Sequence, residues 1–273
     1  DWSGVIPDLR YKGHRYFDFW NTRPYTPTLH DAITGPVEEF MAVGMDEAAV
    51  GGQFLKIGVG GLVKPDDGAY TFSKDYVIKT PGKWKVKRKK DRVTFTHTIS
   101  GVNGYGYEYT KVVRLTKGKP ELVLEHSLKN TGTKKIETST YNHNFFVIDG
   151  EPTGPNIETT FPFTTSAEGK GFGTIVEAKG RQVVYNRELQ GNESIITMSL
   201  EGFKNTPDDY GIHIKNTKTG AGVKINGDRP LEKIVFWACR TTSCPEPYIR
   251  LSAKPGETVR WNIRYEFEVE TEN

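Results

Sequence analysis

Along most of this chain apolar and polar residues alternate with the period-two rhythm of half-buried β-strands. From Arg92 to Ile99, Val93, Phe95, His97 and Ile99 fall on one face and Thr94, Thr96 and Thr98 on the other. The same alternation predicts strands at Tyr105 to Leu115, Glu121 to Leu128, Thr138 to Ile148, Thr174 to Tyr185, Ser194 to Leu200, Tyr210 to Ile225, Lys233 to Cys239 and Tyr248 to Glu270. Turn-forming clusters such as Lys117-Gly118-Lys119-Pro120 and Lys254-Pro255-Gly256-Glu257 separate them,. Helical potential is confined to Pro36 to Ala49, where irregular apolar spacing and Gly44 allow a turn or two,. Strands joined by hairpins without intervening helices predict antiparallel sheets packed face to face. No linker and no fixed-period repeat interrupts the pattern. Residues 1–273 therefore read as a single all-β domain, a large antiparallel β-sandwich, with residues 1–50 an N-terminal extension packed on or completing it.

Composition narrows the function classes. At 273 residues with 36% hydrophobic and 26% charged positions, the chain is neither disordered nor collagen-like and is long enough to bury its own core,. No run of about 18 apolar residues occurs, so no membrane-spanning helix and no membrane partner are expected. A net charge of +3 is too balanced for a protein whose main partner is a polyanion, so no nucleic acid is expected either,. The basic run Lys83 to Arg92 interleaves lysines with Trp84 and Val86, as the solvated side of a hairpin does,. Gly58-Val59-Gly60-Gly61 opens no helix and lacks a following Lys-Ser/Thr, which argues against a phosphate cradle,. Cys239 and Cys244 have no metal-ligand spacing, and a local disulfide between them is left open,. The chain starts at Asp1 rather than Met, which favours a periplasmic or secreted location as an expectation,.

Two segments place polar chemistry next to apolar strands. In Tyr141-Asn142-His143-Asn144-Phe145-Phe146, three successive polar side chains put polar groups on both faces of a strand,. One reading is a core histidine bonded to its amide neighbours; the other is a proton-transfer group, the role that suits imidazole near neutral pH. In Pro245-Glu246-Pro247 the flanking prolines restrict the backbone of a carboxylate in what reads as a polar bend,. It is either a held base or a rim glutamate. His97 and His126 lie on apolar faces and read as core residues, His213 and His14 as surface. His30, with Asp31, Glu38 and Glu39 following, is a candidate pocket residue, and no spacing in the chain predicts a metal site,.

Taken together, His126-Ser127-Leu128-Lys129-Asn130-Thr131-Gly132, Tyr141 to Phe146, and Pro255-Gly256-Glu257 before the last strand resemble the galactose mutarotase (aldose 1-epimerase) superfamily, from about Gly51 to the C-terminus. The resemblance implies a large antiparallel β-sandwich with a sugar pocket on a concave sheet face. It implies that His143 is the general acid and Glu246 the general base of an anomer-interconverting isomerase that needs no cofactor. It also implies a small-molecule carbohydrate as partner, with Lys56, Asn144, Trp237 and Arg240 the nearest candidates for holding it. Such a pair is expected to face a common cavity several ångströms apart, with a sugar ring between. Departures are clear: the family's second histidine has no counterpart between Gly60 and Lys79, and Lys56-Ile57-Gly58 stands near its Asn-Arg pair. A lyase or glycoside-processing enzyme on the same fold, or a non-catalytic carbohydrate-binding protein, are the alternative functions.

Overall fold

In a computed structural model, which describes residues 4–22, 24 and 32–270, the chain is almost entirely antiparallel β-structure. Ten strands form the larger sheet, in the order Val176–Lys179, Gln182–Tyr185, Ile157–Thr160, Gly211–Asn216, Ala221–Gly227, Thr258–Val269, Glu121–Asn130, Tyr105–Leu115, Arg92–Val102 and Lys83–Arg88. Its inner face carries Tyr109, Leu124, Leu128, Val223, Ile225, Trp261, Ile263 and Tyr265, all buried in one continuous core. The alternation read from the sequence is thus the in-out pattern of a sheet covered on one side.

A second sheet packs on that core. Its strands are β1 (Val37–Phe40), β2 (Ile136–His143), β3 (Ser194–Thr197), β4 (Lys233–Cys239) and β5 (Thr242–Ala253), in the spatial order β3-β4-β5-β2-β1. Phe40, Ile234, Phe236, Ala238 and Ile249 face inward, and the Phe40 ring meets Tyr109 edge-on at 5.1 Å. A small sheet of Gln53–Lys56, Gly60–Val63 and Ile78–Thr80 lies to one side with its own cluster of Phe54, Leu62 and Tyr76. The all-β sandwich expected from the sequence is the observed architecture.

Two local expectations are corrected and one open question is answered. Within Pro36 to Ala49, Val37–Phe40 is not helical but an edge strand hydrogen-bonded to β2. Pairing wins there because both glutamates of Val37-Glu38-Glu39-Phe40 find cations, one on each face. The segment around Glu246 is not a bend but the middle of β5, and the turn instead falls at Arg240-Thr241. The prolines fit because pairing with β4 continues through them, Phe236 opposite Pro245 and Ile234 opposite Pro247, while the ladder to β2 stops at Tyr141 opposite Tyr248. Beyond that point the Asn144 side-chain amide donates to the Pro245 carbonyl at 3.1 Å and replaces the ladder,. Cys239 and Cys244 are both free.

Candidate active site

Register arithmetic builds the site. Because β2 and β5 pair with Tyr141 opposite Tyr248, two residues further His143 lies opposite Glu246, and β4 puts Val235 beside Glu246. The preceding row on the same outward face is Glu39, Tyr141, Tyr248 and Lys233. Trp237, opposite Cys244, belongs to the row after. Alternation sends Asn142 and Asn144 to the other face. There Asn142 donates to Glu38 Oε1 at 3.3 Å, and Asn144 accepts from the Tyr265 hydroxyl at 2.6 Å. The amides therefore do not hold His143, which overturns the reading of a core histidine bonded to its neighbours.

His143 Nε2 and Glu246 Oε1 are 3.4 Å apart, with side chains 21% and 6% exposed. This corrects the expected geometry, since no sugar ring fits between groups in contact. Aromatic rings surround the pair. Phe145 stacks on the imidazole at 3.7 Å between centroids, Trp237 stands edge-on to it at 6.0 Å, and Tyr141 stacks on Tyr248 at 4.1 Å. Trp20 stacks on Phe145 at 5.5 Å and meets Trp237 edge-on at 5.4 Å.

Burial decides the charges. It pushes the Glu246 carboxyl up to about 8, with repulsion from Glu39 adding to the rise and Lys233 opposing it,. Burial alone pushes the His143 imidazole down to about 3. Near neutral pH the pair thus carries one proton and no net charge, with the proton on Glu246. His143 Nδ1 is buried and has no hydrogen-bond partner among the described residues.

The other candidates fall in different places. Trp237 stands beside the pair, edge-on to His143. Lys56 is buried, ion-paired to Glu39 and donating to the Phe40 carbonyl at 3.1 Å and the Tyr70 hydroxyl at 2.5 Å. Its ammonium is fully engaged by the protein, so its part is to fix Glu39. Asn144 is fully buried on the opposite face and holds β5 in place instead of facing the pair. Arg240 is exposed in the turn joining β4 to β5. His30 lies outside the described residues. His97 is a satisfied core residue, contacting the Tyr107 hydroxyl at 2.7 Å and the Pro81 carbonyl at 2.8 Å. His126 meets Glu38 at 3.1 Å, and Lys111 donates to the same carboxylate at 2.5 Å in a buried cluster under β1. His213 is half-buried and ion-paired with Glu268, and His14 contacts Asp149 at 2.9 Å. Sequence reasoning missed Tyr141, Tyr248 and Lys233, which the register places on the face of His143. It also missed Trp20, whose position no local pattern encodes.

No protein-family model matches the chain, and no curated protein sequence does. Solved structures do. The GalM/aldose epimerase homologue from C. elegans superposes with a TM-score of 0.60 at 15% identity, covering 99% of this chain and 94% of that one. A galactose mutarotase-like protein from Clostridium acetobutylicum gives 0.60 at 15% identity over 99% and 91%. The Slr1438 protein from Synechocystis sp. PCC 6803 gives 0.60 at 13% identity over 98% and 90%. The likeness thus extends through the N-terminal 50 residues, beyond the reach of the sequence motifs. At these identities it concerns the fold, and the chain is a divergent example of the galactose mutarotase-like β-sandwich.

Proposed function

We propose that this protein is a carbohydrate-active enzyme of the aldose 1-epimerase type, interconverting the anomers of a sugar with His143 and Glu246 as its acid/base pair. The observation that carries this reading is the cross-strand contact of an imidazole and a carboxyl on the outward face of a sheet, inside a ring of five aromatic side chains. Aromatic faces suit the apolar faces of a pyranose, and a few polar groups fix its orientation. The solved structures of the same fold named as epimerase or mutarotase-like proteins support it further.

Contact between the two groups is compatible with the chemistry. The ring oxygen O5 and the anomeric hydroxyl O1 are bonded to the same carbon, so adjacent groups on one side of the sugar reach both. One group takes the O1 proton while the other protonates O5; the C1–O5 bond breaks and C1=O1 forms. Rotation about C1–C2 followed by the reverse transfers closes the other anomer, and both groups regain their starting protonation. The pair needs one proton in total, which is what it holds near neutral pH. The resemblance assigns the acid to His143 and the base to Glu246. From the resting protonation that arrangement is uphill by about 7 kcal/mol, whereas the reverse assignment, with protonated Glu246 donating to O5 and neutral His143 Nε2 taking the O1 proton, starts from the form the pair holds,. Each well-placed transfer is worth roughly 10²–10⁴-fold in rate.

The test is polarimetry on a panel of freshly dissolved aldoses, with wild type and Glu246→Gln. Accelerated approach to anomeric equilibrium by the wild type alone is the expected result. A product of altered mass would assign the pair to elimination or glycoside cleavage instead. Sugar binding without turnover, unaffected by Glu246→Gln, would make the protein a carbohydrate-binding one.

A further inference from the structure

Beside His143 and Glu246 the same sheet face carries a charged side chain that the acid/base chemistry does not use. Lys233, at the start of β4, lies opposite Tyr248 with its ammonium 4.3 Å from the centre of that ring. It is half-buried and forms no ion pair with any described residue. The other charges on this face cancel. Glu39 is matched by Lys56, and His143 with Glu246 holds a single proton between a base and an acid. Further along β5, Arg250 is paired with Glu232 at 3.5 Å. Among the described residues of this face, Lys233 is the charge left without an opposite partner.

Position matters as much as sign. Lys233 is two residues from Val235, the β4 neighbour of Glu246, so its backbone stands about 7 Å along the sheet from the reacting row,. That spacing, with a flexible four-carbon stem, matches the step from the anomeric centre of a pyranose to the substituent on C5. The Tyr248 ring holds the ammonium from below and leaves its three donors for a ligand.

We propose that the substrate is an acidic sugar, a uronate whose C5 carboxylate is bound by Lys233, so that Lys233 determines specificity without taking part in proton transfer. This rests on the anomer-interconversion reading of the same face. A carboxylate fits better than a phosphate ester because one ammonium balances one negative charge, whereas a phosphate dianion would leave a charge uncompensated in a half-buried site.

The experiment compares D-galacturonate and D-glucuronate with D-galactose, D-glucose and D-glucose 6-phosphate, by calorimetric binding and by anomerisation rate, in wild type and Lys233→Met. Methionine keeps an apolar stem over Tyr248 and removes the charge. The expected result is uronate binding about tenfold or more tighter than that of the neutral hexose, with the uronate-to-hexose ratio falling to about one in Lys233→Met when both sugars are compared at the same pH. Equal handling of uronates and hexoses, an equal effect of Lys233→Met on both, or preference for the phosphate ester would overturn the assignment and leave the epimerase reading intact. Lys233-dependent uronate binding without anomerisation would overturn that reading and leave only the recognition of the uronate carboxylate by Lys233. Binding of none of these sugars overturns both.

Discussion

Replacing Glu246 with glutamine should change how stability depends on pH. In the folded protein burial makes the carboxyl hold its proton up to about pH 8, against 4.5 in an unfolded chain. Between those values the folded state binds the extra proton, so stability falls as pH rises through the window. At about 1.4 kcal/mol for each tenfold change in proton affinity, the fall is on the order of 5 kcal/mol,. His143 works in the opposite sense. Its folded value of about 3 lies below 6.5, so the folded state binds fewer protons in between and stability rises with pH over that range, by a similar amount. The two nearly cancel from about 4.5 to 6.5, and the alkaline fall belongs to Glu246. Glutamine has the shape of the protonated acid and cannot ionise. Urea unfolding followed by tryptophan fluorescence should therefore give similar stabilities for wild type and Glu246→Gln near pH 5. Above pH 8 the variant should be more stable by several kcal/mol. Parallel curves across this range, within about 1 kcal/mol, would refute the claim that burial keeps the carboxyl protonated.

Asn144→Ala removes the acceptor of the Tyr265 hydroxyl and the donor to Pro245, both buried; a loss of about 2–4 kcal/mol in urea unfolding is expected, and a loss below about 0.5 would show that Asn144 does not hold β5,. Lys56→Met should destabilise by about 2–3 kcal/mol because it strands the Glu39 carboxylate, with most of the loss recovered in Lys56→Met/Glu39→Gln; an additive double variant would contradict the pairing,.

Much of this architecture was readable from period-two alternation because nearly every strand has one face on the core. Lys233 to Cys239 carries clean alternation between two turns, and β4 occupies those residues. The succession Asn142, His143, Asn144 likewise showed that polar groups lie on both faces of a strand, but not which face is outward. Reading failed where long-range contacts override local signals. Prolines normally mark breaks, yet Pro245 and Pro247 sit inside β5 because a side chain 101 residues away along the chain replaces the missing ladder. Val37–Phe40 fell in the stretch with helical potential because its apolar spacing lacks the period-two alternation of the other strands. The partners of its glutamates, Lys111 and His126 for Glu38 and Lys56 for Glu39, come from three other strands. Asn144 beside His143 looked like a ligand for substrate, but adjacency along a strand means opposite faces. The aromatic wall at Trp20 meets Phe145 and Trp237 only through folding.

The most direct measurement of the central claim, that His143 and Glu246 act as one unit carrying one proton, is the pH dependence of kcat/KM for anomerisation, which reports on the free enzyme. The account predicts a plateau across neutral pH with an alkaline limb near pH 8, where the pair loses its proton, and loss of catalysis in both His143→Gln and Glu246→Gln,. A rate that keeps rising through pH 9, or a variant at either position that retains wild-type turnover, would contradict it.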